Sequence, residues 1–314
     1  MPLRTAIAGG AVLLVAAVTG STGAGATARL TWAPPALSDP LLVAVTNANR
    51  RLYLDDSRDY RLTIVEPLTR ELWIEGGRNV VVIGGHITVD ELGADTPYQD
   101  NTGVKVRSGA ASGTVHLEGL LVEGRYLGDG IAIATQRNVQ IENVRVERAH
   151  DNVKGAHADC IQVQQGVGRL RMDRFTCSTE RQGVFLGDHD GAITSADLRR
   201  TNVIGAPGKH LLWQSTPSFP LNLVEVELGI ATGSHPWAPF GFWVYPQRDG
   251  RMYSGGLDRQ RRAVVSRDGK RLWFVGSRIS GVVQKAAPGA RDFVPLGVAG
   301  MAYASPVYAR QSPG

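Results

Sequence analysis

The residue types best suited to chemistry in this chain are concentrated in three polar segments between residues 150 and 210. The first is His150-Asp-Asn-Val-Lys-Gly-Ala-His-Ala-Asp159, the second is Asp188-His-Asp190, and the third contains Lys209 and His210. Histidine, carboxylate and lysine side chains are common general acids and bases in enzymes. The candidate catalytic residues are His157, Asp159, Asp188, His189, Lys209 and His210.

Amide and aromatic side chains close to these candidates predict a substrate-binding surface. Amides both donate and accept hydrogen bonds, as sugar hydroxyls require, and aromatic faces stack on sugar rings. The candidate substrate-binding residues are Gln162, Gln164, Gln182, Gln214 and Trp213.

Two reactions fit these residue types. A lyase acting on an acidic sugar needs a cationic group to neutralise the uronate carboxylate and a base to remove the adjacent proton. Lys154, Lys209, His157 and His210 could supply those groups. A glycoside hydrolase needs two carboxylates, about 5 Å apart for retention or about 6.5–9.5 Å apart for inversion. The carboxylates available for that reaction are Asp129, Asp159 and Asp188.

A third interpretation involves no reaction. In it, Asp and Asn side chains cap bends of the backbone, and His and Gln side chains hydrogen-bond to their equivalents in neighbouring repeats. Cofactor use also stays open. Asp carboxylates could hold calcium, and Asp188-His-Asp190 with His157 could hold zinc, so no metal ligand is assigned.

A short strand pattern that returns every 23 to 30 residues positions the polar segments. A fixed period in this range is the signature of stacked structural repeats. The five copies are Gly103-Val-Lys-Val106, Gly130-Ile-Ala-Ile133, Cys160-Ile-Gln-Val163, Gly183-Val-Phe-Leu186 and His210-Leu-Leu-Trp213. If their apolar residues point inward, the outward column is Lys105, Ala132, Gln162, Phe185 and Leu212, and the column at the strand starts is Thr102, Asp129, Asp159, Gln182 and Lys209.

A second strand follows each copy, with anchors predicted at Val80, Val115, Val139, Leu170 and Ile193. The segment Asn138–Glu147 alternates apolar and polar residues, breaks at Asn143 and alternates again, which indicates a strand with a sharp bend. Few windows show a helical stripe. We therefore predict an all-β chain folded as a right-handed parallel β-helix, a solenoid with terminal caps.

The predicted organisation begins with a signal peptide at residues 1–28. Arg4 precedes a short uncharged apolar run, and Ala26-Thr27-Ala28 is a small-x-small cleavage pattern. The run is short for a membrane span, so we expect secretion and no membrane contact after cleavage, with an uncleaved anchor as the alternative. Residues 29–59 are then an N-terminal cap segment, residues 60–235 the β-helix, and residues 236–314 a loop and C-terminal β cap. The strands of that cap, predicted to be antiparallel, are Ala263-Val-Val, Leu272-Trp-Phe-Val and Val282-Val-Gln.

Charge and cysteine content limit the partners. The net charge of +5 favours an acidic polysaccharide or cell-wall polymer, although simple solubility also explains it. Nucleic acid is not expected, because no dense Lys/Arg stripe is interleaved with aromatic residues. We expect a monomer. Cys160 and Cys177 belong to one repeat, so a disulfide and two separate buried thiols both remain open.

Two sequence patterns resemble the pectate-lyase-like right-handed β-helix superfamily. The first is Asn79-Val-Val-Val-Ile-Gly-Gly85 followed by Asn-Val-x-Ile-x-Asn-Val strands. The second, His157-Ala-Asp-Cys-Ile-Gln162 with Thr179-Glu-Arg-Gln-Gly183, is similar to secreted bacterial β-helix proteins. The resemblance covers about residues 60 to 230 and implies the fold and a surface that faces polysaccharide.

Activity is not carried by this resemblance. The superfamily contains pectate lyases, polygalacturonases, other polysaccharide lyases, phage tailspikes and non-enzymatic surface proteins. The Asn-Thr-Asp, paired-Asp and Gly-His-Gly motifs of polygalacturonases are missing, and the Arg and calcium-binding Asp set of pectate lyases has no counterpart residue by residue. We therefore expect a secreted protein that acts on polysaccharide, as a lyase before a hydrolase, with a non-catalytic carbohydrate-binding or structural protein as the alternative.

Overall fold

The computed structural model describes residues 29–91, 101–110, 112–150, 158–188, 190–206, 209–215, 219–230, 242–243, 263–265, 272–274, 282–286 and 291–308. The predicted signal peptide, Lys154, His157 and His189 lie outside these residues. Within the described part, all regular secondary structure is β strand. The prediction of an all-β chain is therefore confirmed for the residues described.

The strands fall into two large parallel sheets. In chain order they are β1 (Leu41–Val45), β2 (Arg51–Leu54), β3 (Tyr60–Ile64), β4 (Leu72–Gly76), β5 (Asn79–Thr88), β6 (Thr102–Arg107), β7 (Thr114–Glu123), β8 (Asp129–Ala134), β9 (Asn138–Ala149), β10 (Asp159–Val163), β11 (Val167–Thr179), β12 (Gln182–Leu186), β13 (Ile193–Gly205), β14 (Leu212–Gln214), β15 (Leu221–Ile230), β16 (Phe242–Trp243), β17 (Ala263–Val265), β18 (Leu272–Phe274) and β19 (Val282–Ala286). Sheet A has nine strands in the order β1-β3-β5-β7-β9-β11-β13-β15-β19, and sheet B has eight in the order β2-β4-β6-β8-β10-β12-β14-β16. Each repeat thus contributes one strand to each sheet.

The apolar positions of successive repeats are aligned, and this alignment builds the core. Val104, Ile131, Ile161 and Val184 face one another across neighbouring strands of sheet B, and all four are buried. In sheet A, Val80, Val115, Val139 and Leu170 align in the same way. β-Branched side chains suit such strands because they pack well on a pleated surface.

Each long strand of sheet A bends where the backbone becomes left-handed, as predicted at Asn143. Asn143 has a φ of 55°. The left-handed residues at this level of successive strands are Gly84, Gly119, Asn143, Arg174, Arg200 and Glu225. Glycine and asparagine accept this conformation at low cost, whereas longer side chains do so at a cost of roughly 1 kcal/mol or more. Arg174 and Arg200 both reach Asp173, and these ion pairs offset part of that cost.

The register differs from the prediction in the last repeats. Leu212, not Leu211, lies opposite Val184, so Trp213 replaces Leu212 in the outward column. His210, not Lys209, is consequently level with Gln182. Two adjacent leucines satisfy either alignment, and a shift of one residue exchanges the two faces of a strand.

The register of β13 was also predicted wrongly. Leu170 aligns with Ala196, and Ile193 aligns with Val167. The residue opposite Phe175 is Thr201, which is fully buried although it is polar. Hydrophobic spacing therefore could not indicate this alignment.

Cys160 and Cys177 form a disulfide, with their Cα atoms 6.2 Å apart. Cys160 stands in the column of Gly130 and Gly183, which points into the core. A Cβ atom at Gly130 would lie 2.7 Å from Val146, and one at Gly183 would lie 2.4 Å from Val203. Cys177 shares the column of Val146 and Val203. The disulfide thus occupies the space that a glycine and a valine fill in the neighbouring repeats.

The terminal segments both lie against sheet A. β1 and β2, within the segment expected to be a cap, form the first repeat by pairing in parallel with β3 and β4. Residues 29–40 run back across the outer face of sheet A, and residues 291–308 cross the same face. The hydroxyl of Tyr308 donates to the carbonyl of Pro35 at 3.4 Å, which joins the two segments. β17 and β18 are antiparallel as predicted, whereas β19 extends sheet A in parallel.

Three aligned acidic residues are buried beneath these segments. Glu118, Glu142 and Asp173 lie opposite one another on β7, β9 and β11, and all are inaccessible to solvent. The backbone amides of Thr31 and Trp32 donate to Glu142 at 2.8 and 3.1 Å. The remaining donors are Tyr303 and His116 to Glu118, and Thr31, Arg174 and Arg200 to Asp173. Burial nevertheless raises the pKa of Glu142, because its partners are uncharged amides.

Asp59 fixes the start of the first repeats, and its charge should contribute to stability. It accepts hydrogen bonds from Arg78 Nε at 2.7 Å and from the backbone amides of Ser38 and Asn79. Hydrogen bonding to Arg78 lowers the pKa of Asp59 from 3.8 to about 2. A depressed carboxyl pKa stabilises the folded state above the unfolded-state pKa, and that stability is lost as the pH falls through the folded-state value.

Asp59→Asn is therefore expected to lower the free energy of unfolding at pH 7 by about 2 kcal/mol. The difference from the wild type should shrink as the pH falls from about 4 to about 2, where the wild-type carboxylate becomes protonated. Urea denaturation across this pH range measures both quantities. Asp190→Asn, at an exposed carboxylate, is the matched control. A constant difference at all pH values would contradict the assignment.

The disulfide predicts a second stability difference. Cys160→Gly with Cys177→Val recreates the glycine–valine pair of adjacent repeats, so the double variant should fold and lose at most about 3 kcal/mol of loop-closure stabilisation. Cys160→Ser with Cys177→Ser loses the same crosslink and also buries two hydroxyls, and it should be less stable than the Gly/Val variant. Urea midpoints rank the two variants. Equal midpoints would show that the Gly/Val column does not explain the site.

Candidate functional site

The outer face of sheet B carries a column of aligned side chains, all of them large except that of Ala132. Cross-strand register places the column on β2, β4, β6, β8, β10, β12 and β14. Alternation along each strand turns these positions away from the core. In order, the column is Arg51, Trp73, Lys105, Ala132, Gln162, Phe185 and Trp213.

A depression of about 200 Å³ lies in the middle of this face. It exists because β8 presents only the methyl groups of Ala132 and Ala134. Lys105 and Arg107 stand on one side, from β6. On the other side stand Gln162, from β10, and Gln164, directly after that strand. Thr102 and Asp129 close the end nearest the strand starts. The site therefore combines cations, amides and one carboxylate around one open space.

Beyond Lys105 the column contains an aromatic ring, that of Trp73, which is surrounded by positive charge. The cationic groups of Arg51, Lys105 and Arg107 lie 5.9, 5.3 and 5.6 Å from the ring centre of Trp73. At these distances cations are attracted to the face of an indole. The Trp73 indole N–H donates to Glu75 at 3.0 Å, which fixes the plane of the ring.

At the other end of the face, Phe185 and Trp213 form an aromatic pair. Their ring centres are 4.7 Å apart. A Cβ atom at Gly187 would lie 2.7 Å from the Phe185 ring, so glycine at this position lets the ring lie along the strand. His210 meets Trp213 edge-on at 4.8 Å. Aromatic surface thus borders the depression along the sheet on both sides.

Asp159 is a buried carboxyl next to the depression, and its surroundings perturb its pKa. The backbone amide of Asp159 donates to Oδ1 of Asp129 at 3.2 Å, and the two residues begin neighbouring strands. Asp159 is fully buried, and neither carboxylate oxygen has a hydrogen-bond partner of normal geometry in the described part of the chain. Burial, reinforced by the charge of Asp129, raises the pKa of Asp159 well above its usual range, against the smaller opposing effects of Arg181 and Gln162.

This pair gives the two carboxyls different chemical characters. Burial favours the protonated form of the Asp159 carboxyl, while Asp129 lines the depression. Paired carboxyls whose environments separate their pKa values are typical acid–base arrangements. Because the Asp159 oxygens are inaccessible, Asp129 is the member of the pair that a bound ligand would contact.

The structure distributes the predicted site residues over two ends of sheet B. Asp159, Gln182, Lys209 and His210 gather at the strand starts. Gln162 and Trp213 lie on the outer face between the two ends. Gln164 and Asp188 lie at the strand ends, with Asp188 six residues after Gln182, on the order of 20 Å away at the rise of a strand. His157 and His189 belong to the residues that the structure does not describe.

Two of these residues have structural partners. Asp188 accepts from the hydroxyl of Ser215 at 3.1 Å, across neighbouring strand ends. Gln214 aligns with Leu186 and points into the core, where its amide nitrogen donates to the carbonyl of Phe219 at 3.0 Å. Gln214 therefore contributes to packing and not to the outer face.

Sequence reasoning did not select Trp73, Arg107 or the small residues Ala132 and Ala134. Leu72-Trp-Ile-Glu75 follows Glu71 and lacks the glycine that begins three of the five copies, so its strand was not recognised as part of the repeat. Lys105 and Ala132 were placed in the outward column. However, the depression that a small residue leaves between large neighbours becomes visible only when the strands lie side by side. The alternating segment Leu72-Trp-Ile-Glu75, one repeat before Gly103, was the signal that could have identified Trp73.

No family model, curated protein or solved structure matches this chain. In the part of the chain that the structure describes, no helix is long and apolar enough to cross a membrane. The same residues contain no group of three or more His, Cys, Asp or Glu side chains arranged to hold a metal ion. The function is therefore inferred from the geometry of sheet B.

Asp159→Asn tests whether Asp159 is neutral in the folded protein. A raised carboxyl pKa means that stability is greatest below the unfolded-state pKa of about 3.8 and declines as the pH rises towards the folded-state value. The amide cannot ionise, so the variant should lack this decline and should melt at a higher temperature than the wild type at pH 7. Melting curves from pH 3 to pH 8, with Asp190→Asn as control, measure the effect. A lower melting temperature at pH 7 would show that the Asp159 charge stabilises the fold.

Proposed function

We propose that the chain is a right-handed parallel β-helix of the pectate-lyase-like kind, secreted as a monomer, and that it acts on an acidic polysaccharide bound across the outer face of sheet B. Parallel pairing of alternate strands in two sheets supports this architecture. The proposal rests above all on one observation, the depression over Ala132 and Ala134 between cationic and amide side chains.

The dimensions of the face favour a linear polymer. Trp73 and Phe185 are separated by four strand spacings, or about 19 Å at about 4.8 Å per strand. Both rings are partly exposed on the same face as the depression. Aromatic rings stack on sugars, and amides such as that of Gln162 hydrogen-bond to hydroxyls. A chain of several sugars would contact aromatic, polar and cationic groups in turn.

The charge of the depression favours an acidic sugar. Lys105 and Arg107 line it, and Arg51 lies one strand beyond Trp73. Positive groups in a concave site attract anions and neutralise a carboxylate on binding. Neutralisation of a uronate carboxylate also acidifies the adjacent C–H bond, which is the requirement of a lyase.

The reaction that best fits is β-elimination. A base removes the proton from the carbon next to the neutralised carboxylate. The electron pair of that C–H bond forms a carbon–carbon double bond. The glycosidic C–O bond then breaks, and the leaving oxygen is protonated. Asp129 is the accessible carboxylate that lines the same depression as Lys105 and Arg107, at the strand starts, and is the candidate base. Hydrolysis by Asp129 and Asp159 is the second reaction, favoured by the raised pKa of Asp159, which suits a general acid.

Binding without cleavage is a distinct function that one observation favours. The Asp159 oxygens are inaccessible, so this carboxyl cannot donate directly to a leaving group in the observed conformation. A catalytic site needs an acid and a base that both reach the bound sugar, whereas a binding face needs only the aromatic and polar groups. Product analysis separates these possibilities.

The test is a screen of the protein beginning at Arg29 against acidic and neutral polysaccharides, with and without calcium. An increase in unsaturated product together with new reducing ends indicates elimination. Reducing ends without unsaturation indicate hydrolysis, and binding without either indicates a carbohydrate-binding protein. The absence of binding and of product with every polysaccharide would refute the proposal.

Ala132→Phe locates the activity on this face. The larger side chain fills the depression and points outward, so binding should fall at least tenfold while the melting temperature changes little. Thr194→Phe adds a similar side chain at an exposed position of sheet A and should leave binding unchanged. Equal affinities of both variants for the polysaccharide would place the binding site elsewhere.

A further inference from the structure

The two cations that line the depression have different roles, and this difference assigns a specificity residue. Resting on the proposed polysaccharide binding, we infer that Arg107, and not Lys105, recognises the anionic group of the sugar, with Trp73 as the surface that orients its guanidinium. Both residues belong to β6 and face outward two positions apart. They differ in the residues with which their charged groups interact.

Lys105 is committed to a buried carboxylate. Glu71 is inaccessible to solvent, and its carboxylate lies 2.7 Å from Arg51 Nη2 and 3.2 Å from Lys105 Nζ. A buried carboxylate is costly unless cations and hydrogen bonds compensate it. Removing Lys105 would therefore disturb Glu71 before it affected a ligand. The charge of Lys105 therefore stabilises the fold by compensating the buried carboxylate of Glu71.

Arg107 has no such commitment. Among the described residues, no carboxylate lies within ion-pair distance of its guanidinium, although Glu75 is opposite it on β4. Glu75 instead accepts the Trp73 indole N–H, and the Arg107 guanidinium lies 5.6 Å from the Trp73 ring centre. A cation over an aromatic face keeps its in-plane N–H donors available for an anion.

The backbone beneath Arg107 is held in place by a buried arginine. Arg137 is inaccessible to solvent, and its Nη2 donates to the Arg107 carbonyl at 2.9 Å. Other Arg137 N–H groups donate to the carbonyls of Gly76 and Gly77, at the end of β4. Burial lowers the pKa of Arg137 to about 10, so the group is still charged at neutral pH. Arg137 therefore ties the Arg107 backbone to the strand that carries Trp73.

The position of Arg107 matches a ligand in the depression. Arg107 aligns with Ala134, whose methyl group leaves the space beside the guanidinium open. A planar guanidinium binds a group with two coplanar oxygens through paired hydrogen bonds, which a lysine cannot do. The chemistry that fits is an oxyanion on a sugar ring, either the carboxylate of a uronic acid or a sulfate ester.

The experiment compares Arg107→Gln and Arg107→Lys with the wild type by titration calorimetry. The probes are oligogalacturonate, the same oligosaccharide after reduction of its carboxyl groups to alcohols, and a sulfated dextran oligosaccharide. Charged hydrogen bonds contribute about 1.5–3 kcal/mol, so Arg107→Gln should weaken binding of the preferred anionic probe by roughly 10- to 150-fold. Arg107→Lys should recover only part of that loss, and the neutral probe should bind both variants and the wild type alike.

Arg169→Gln is the matched control, because it removes one exposed guanidinium from sheet A. The anionic probe that depends on Arg107 identifies the oxyanion as carboxylate or sulfate. Equal loss of the neutral and anionic probes, an equal effect of Arg169→Gln, or full recovery by Arg107→Lys would overturn the assignment. A wild type that prefers the neutral probe would also overturn it and leave the proposed binding face intact. A wild type that binds none of the probes would overturn the assignment, and the polysaccharide screen then decides whether the proposed binding face also fails.

Discussion

Parallel pairing in register is the constraint on which the rest of this structure depends. Val104, Ile131, Ile161 and Val184 lie directly opposite one another, so inward-facing residues of one strand pair with inward-facing residues of the next. Outward-facing residues pair in the same way. Apolar columns then close the core, and the residues between them form the outer face. The same constraint explains the left-handed bend of sheet A, which recurs at one level from Gly84 to Glu225 even where arginine or glutamate must adopt it.

Stacking equivalent positions also stacks equivalent charges, and the molecule resolves this in two ways. On sheet A the acidic residues Glu118, Glu142 and Asp173 are neighbours, and donors from both terminal segments cover them. The terminal segments thus complete the hydrogen bonding of the repeats and are not appendages. At the strand starts of sheet B, Asp129 and Asp159 are neighbours, and burial raises the pKa of the Asp159 carboxyl instead.

The proposed function depends on Asp129, the accessible member of this carboxyl pair. A depression at Ala132 and Ala134, an accessible Asp129 and the cationic side chains of β6 come together because three successive repeats differ at the same two outward positions. Variation at a few positions of a uniform scaffold is how repeat folds acquire binding sites. Arg107 illustrates the point, since its role follows from the residues on β4 and β8 between which it stands.

The spacing of apolar residues by itself determined that the chain is all β, that the strands recur, and that Asn143 marks a bend, because burial of one strand face imposes a period of two. It also placed Cys160 and Cys177 in one repeat, but only the folded chain shows that a column of glycines turns Cys160 inward to meet Cys177. Tertiary structure alone decided the alignment of Leu212 and Thr201, since adjacent leucines and a buried threonine leave no periodic signal. It also decided which cation of β6 has a carboxylate partner among the described residues, because the ion pair between Lys105 and Glu71 joins residues 34 positions apart that meet only when their strands pair.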